Sequence, residues 1–117
     1  MKKIYISAPF RDKTLKGAKN NVKLAEFYGS LVRDAGHKTV IVHTLIAERW
    51  GIKLANKSKN DKVDIEITKF NLRELAKCDI LAVCGGRITV GMAGEIKFAI
   101  EHHIPIIVQS GNIRKLK

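Results

Sequence analysis

Four short runs rich in apolar and β-branched residues punctuate the chain: KIYIS from residue 3, KTVIVH from residue 38, DILAVC from residue 79 and IPIIV from residue 104. Between successive runs lie segments long enough to hold a helix and return along a sheet, and strand–helix–strand units of this kind pair in parallel with right-handed crossovers. The expectation is an α/β three-layer sandwich, flavodoxin-like or Rossmann-like, with about four parallel strands in the order 2-1-3-4. In that order strands one and three lie side by side while their connections leave to opposite faces. This is the switch point at which open α/β sheets bind ligands, and it brings the loops SAPFR and CGGRITVGMAGE together.

The first run ends at Pro9, which has no N–H for a ladder. Beyond the polar stretch RDKTLKGAKNN, apolar residues at Leu24, Phe27, Tyr28, Leu31, Val32 and Ala35 have helical spacing, and Gly36 is placed to cap that helix. KTVIVH lacks the alternation of a half-exposed strand, so strand two is expected to be internal or nearly so. A short helix to Trp50 and a lysine- and asparagine-rich loop follow, and the stretch from Thr44 to Lys62 has the composition of a lid. A third helix from about Asp61 carries Ile65, Leu72, Leu75 and Ala76, with Asp61 and Asp64 near its positive end. A fourth presents Met92, Ile96, Ala99 and Ile100.

At 117 residues, residues 1–117 are expected to form a single domain. No apolar run reaches the ~18 residues of a membrane span, and Met1-Lys2-Lys3 leads directly into a strand rather than a secretory leader, so no membrane association and a cytoplasmic location are expected. Cys78 and Cys84 flank an extended strand, too far apart to bridge, and are read as buried thiols. Neither they nor the adjacent His102 and His103 have metal-ligand spacing, so no metal and no other cofactor is expected. The formal charge of +11 favours anionic partners such as nucleotides or phosphates. Nucleic acid is the least favoured of these, because no aromatic platform interleaves the lysines.

GGRITVG, with Arg87, Thr89 and Gly91, leads into a helix N-terminus, where free N–H groups and the dipole favour an anion. It is neither a Walker A sequence nor a dinucleotide fingerprint, and Thr89 can equally serve as a helix cap. Glu95, four residues after Gly91, is the candidate nucleophile, although an acid in a first helical turn also gains from the dipole. Tyr5, Ser7, Arg11 and Asn71 are all placed to approach the same crevice.

Taken together, IYISAPFR, NLRELAKCDILAV and TVGMAGEIKFAIEHHIPIIV resemble the nucleoside 2-deoxyribosyltransferase superfamily, nearest its 2'-deoxynucleoside 5'-phosphate N-hydrolase branch. The resemblance covers most of the chain except Thr44 to Lys62. It implies that Glu95 attacks the anomeric carbon of a deoxyribosyl unit, that Tyr5 orients it, and that Arg11 and Thr89 hold a 5'-phosphate. Ser7, Pro9, Phe10, Arg87 and Gly91 would line the pocket. It also implies a homo-oligomer, a dimer or higher.

Two departures shape the expectation. Asn71 stands where better-known members carry an aspartate and cannot protonate a leaving base; Asp64, two turns earlier, is a possible substitute. The tail QSGNIRKLK matches no transferase terminus, so hydrolysis is favoured over base transfer. The alternative is a catalytically weak module on the same fold that senses or sequesters a nucleotide. A lower-ranked reading is the phosphoribohydrolase family that activates cytokinin nucleotides, whose glycine-rich pattern GGRITVGMAGE echoes only in part.

Overall fold

The computed structural model describes residues 1–51 and 61–109. Its elements are β1 (Lys3–Ser7), α1 (Leu15–Asp34), β2 (Lys38–Val40), α2 (Val42–Trp50), α3 (Asp61–Ala76), β3 (Ile80–Val83), α4 (Val90–Glu101) and β4 (Ile106–Val108). The strands form one parallel sheet in the order β2-β1-β3-β4. The α/β class and strand order are those expected from the sequence.

Alternation along β1 decides what each face of the sheet carries. Ile4 and Ile6 point to one side, where they pack with Ala25, Tyr28 and Val32 of α1. Tyr5 points to the other and packs with Val42 and Ile46 of α2, Leu75 of α3, and Met92 and Ala99 of α4. One helix therefore covers one face and three cover the other, as right-handed crossovers dictate when the chain steps first to one side of β1 and then to the other. Tyr5, Ile46, Leu75 and Leu81 are fully buried, each such side chain stabilising the fold by roughly 1.5–3 kcal/mol.

Several local expectations need correcting. β2 lies at the sheet edge in the order β2-β1-β3-β4, and it is three residues long because Val42 and His43 belong to α2 and not to a strand. The apolar character of KTVIVH is explained instead by α2 folding beneath β1, which buries Val42, His43 and Ile46. Helix α1 starts at Leu15, nine residues before the first expected apolar position, Leu24, because Thr14 caps it by accepting from the Gly17 N–H at 3.0 Å. Its buried stripe is Ala18, Ala25, Tyr28, Gly29 and Val32. Leu24, Phe27 and Leu31 are exposed, since the helix approaches the sheet closely through its small residues. Ile65, Ala76 and Ile100 also face outward. Gly36 has the positive φ of 90° expected of a residue that ends a helix.

The stretch read as a lid divides: residues 44–50 belong to α2, residues 61 and 62 to α3, and residues 52–60 lie outside the described residues, as does the tail from 110 onward. Both cysteines are free and buried, and burial pushes the Cys78 thiol up to about 11 and that of Cys84 to about 12. Among the described residues no helix is long and apolar enough to cross a membrane.

Candidate active site

The switch point lies where β1 and β3 end side by side. The Cys84 N–H donates to the Ser7 carbonyl at 2.8 Å, so the two strands run out of ladder together. Their loops then touch. A Cβ on Gly85 would lie 2.7 Å from Pro9 Cδ, and Gly85 has φ of 100°, so both close approach and backbone conformation require glycine there.

Glu95 lies at the centre of this meeting point. Because residues two apart on a strand face the same way, Tyr5 and Ser7 both project from β1 toward α4, and both donate to the Glu95 carboxylate. The Tyr5 hydroxyl bonds Oε2, and the Ser7 hydroxyl bonds Oε1 at 2.8 Å. All three residues are buried, Glu95 at 8% exposure. No acid lies in the first turn of α4, so proximity to the helix dipole does not account for Glu95.

Burial raises the Glu95 pKa above its usual value, and the bonds from Tyr5 and Ser7 partly offset that rise. Burial, with the adjacent Glu95 charge, holds the Tyr5 phenol well above its usual value, so it remains a donor. The carboxylate is thus held by two neutral hydroxyls. The two bonds fix its orientation, as a nucleophile or a stabiliser of oxocarbenium-like charge requires.

Other expected residues are placed differently. Arg11, on the loop after β1, forms an ion pair with Asp64 of α3 through Nη2 and Oδ1. The other oxygen of Asp64, Oδ2, is buried without a hydrogen-bond partner among the described residues. Asn71, two turns further along α3, is half-buried, and its Oδ1 is also buried and, among the described residues, unpartnered. Thr89 is the N-cap of α4, its hydroxyl accepting from the Met92 N–H at 3.3 Å. Arg87 and Gly91 are exposed; Arg87 lies near enough to Asp12 to help lower its carboxyl pKa, after the larger effect of two hydrogen bonds from Thr14. Pro9 is buried against Gly85 and Phe10 is half-buried.

Two residues absent from the expected set belong to this region. His43, 2% exposed, donates from Nε2 to the carbonyls of Ala8 (2.9 Å) and Pro9 (3.0 Å) and meets the Phe10 ring edge-on. Asn21 of α1 donates to the Phe10 carbonyl at 3.1 Å. The only signal for either was a polar residue inside an otherwise amphipathic or apolar segment. A separate groove of about 560 Å³ runs beside β2, bordered by Lys3, Glu26, Arg33 and Glu74, and includes none of the Glu95 cluster.

The chain matches, over residues 2–109, a family described as a domain of unknown function, DUF7768. No curated protein and no solved structure matches it.

Proposed function

The chain belongs to the DUF7768 family, and we propose that it cleaves the N-glycosidic bond of a (deoxy)nucleoside 5'-monophosphate or nucleoside, with Glu95 as nucleophile and water as the final acceptor. The observation that carries this reading is the buried Glu95 carboxylate, bonded by Tyr5 and Ser7 and, among the described residues, by no cation.

In the first step a Glu95 oxygen forms a bond to the anomeric carbon as the C–N bond breaks and its electron pair leaves with the base. In the second, water adds to that carbon and releases a proton to solvent, the glutamyl ester opens, and Glu95 returns as a carboxylate. Tyr5 and Ser7 keep the carboxylate aligned and stabilise it as a leaving group in the second step. Arg11, oriented by Asp64, provides guanidinium N–H groups for a 5'-phosphate. Asn71 offers the base a hydrogen bond but no proton. Asp64 is committed to Arg11, so protonation of the departing base falls to solvent rather than to either residue.

That last point supports a second reading, a nucleotide-binding module on the same fold that senses or sequesters its ligand. Both readings place a small anionic ligand in the crevice, and the resemblance to nucleoside deoxyribosyltransferases supports a homo-oligomer in either case. Incubation with a panel of nucleoside and deoxynucleoside monophosphates, followed chromatographically, separates them. Release of free base by the wild type and its loss in Glu95→Gln supports catalysis. Calorimetric binding without product, with affinity intact in Glu95→Gln, supports the binding module and contradicts the first reading.

A further inference from the structure

The loop from Ala8 to Arg11 leaves β1 without a ladder to satisfy its carbonyls, yet all four are met by side-chain donors. His43 Nε2 lies between the carbonyls of Ala8 and Pro9, at 2.9 and 3.0 Å. Asn21 Nδ2 lies between those of Phe10 and Arg11, at 3.1 and 3.5 Å. The two donors come from different helices, α2 and α1, on opposite faces of the sheet. Just beyond, Asp12 accepts from both the backbone and the hydroxyl of Thr14 at 3.0 Å, which fixes the loop where it enters α1.

We propose that His43 and Asn21 are positioning residues that clamp the Ala8–Arg11 loop by its carbonyls and thereby set where Arg11 meets the phosphate of the substrate. The proposal rests on the reading of Arg11 as the phosphate-binding residue. Because carbonyl oxygens only accept, His43 is the Nε2–H tautomer. Its Nδ1 is buried with no hydrogen-bond partner among the described residues. Burial lowers its pKa below the usual value, which keeps the ring neutral. An unpartnered buried nitrogen is destabilising, and packing alone at this place would be better met by an apolar side chain. A side chain retained despite that cost is expected where its one N–H has a task.

The test compares wild type, His43→Leu, His43→Gln and Asn21→Ala in base release from a deoxynucleoside 5'-monophosphate and from the same deoxynucleoside without phosphate. Glutamine places an amide donor near the position of Nε2, whereas leucine provides none. The clamp predicts that His43→Leu and Asn21→Ala raise KM for the monophosphate about tenfold, as expected for one lost hydrogen bond. KM for the unphosphorylated deoxynucleoside should stay within about threefold, and His43→Gln should recover most of the loss. Equal changes for the two substrates, or no recovery with glutamine, overturn it. If His43→Leu does not fold, Asn21→Ala carries the same comparison.

If the wild type releases no base from either compound, the functional reading has failed, and the clamp is judged by amide hydrogen exchange. Faster exchange confined to residues 10–13 in His43→Leu and Asn21→Ala, absent in His43→Gln, supports it. Unchanged exchange there, or acceleration spread across the sheet, overturns it.

Discussion

Two carboxylates, Asp64 of α3 and Glu95 of α4, are held in opposite ways. Asp64 faces a guanidinium at a partly open position, with side-chain exposures of 39% for Arg11 and 18% for Asp64. Glu95 lies deeper, with two hydroxyls and, among the described residues, no cation. A paired charge is neutralised by its partner and serves to orient it; a charge held only by neutral donors keeps its reactivity but is costly to bury. Asp64 is accordingly read as a support for Arg11, and Glu95 as the group that reacts.

The largest difference between them is expected in turnover. Glu95→Gln should lower base release by roughly 10³-fold or more, as loss of a nucleophile does, while Asp64→Asn should retain most of it when assayed on an unphosphorylated nucleoside. Comparable losses from both substitutions would erase the distinction. Next in size is Tyr5→Phe, which removes one charge-assisted hydrogen bond, worth ~1.5–3 kcal/mol, and should reduce base release about 10- to 100-fold. It should also raise the Glu95 pKa further and move the acid limb of the pH–rate profile to higher pH.

Stability sharpens the contrast at a smaller scale. The folded-state pKa of Glu95 is raised above its usual 4.5, so the folded protein takes up a proton more readily than the unfolded chain. Stability is therefore fully present below that value and declines as pH rises through the folded pKa. Glu95→Gln lacks this decline, and thermal melts should find it more stable relative to wild type at pH 8 than at pH 4. Asp64→Asn should lose at most about 1 kcal/mol, less in high salt, because its ion pair is partly exposed and screened. A Glu95→Gln protein no more stable relative to wild type at pH 8 than at pH 4 would mean that the carboxylate is not held against its preference.

What the sequence disclosed follows from the range of the interactions concerned. The parallel order was legible because alternating apolar runs and helical segments leave few right-handed arrangements. The Glu95 cluster was legible because Tyr5 and Ser7 share one face of a strand, a local property. The extent of β2 was hidden, since VIVH has strand-like composition and only the packing of α2 beneath β1 makes Val42 and His43 helical. The first turns of α1 were hidden too: they bury little more than Ala18, and Thr14 was their main signal. The Arg11–Asp64 pair and the contacts of His43 and Asn21 join positions distant in sequence, and no spacing rule encodes them.

The most direct test is to quench the protein during turnover of a deoxynucleoside 5'-monophosphate and map covalent adducts by peptide mass spectrometry. A deoxyribosyl phosphate increment on the peptide containing Glu95, absent from Glu95→Gln, is the predicted result. Base release that proceeds without an adduct and survives Glu95→Gln would contradict the account.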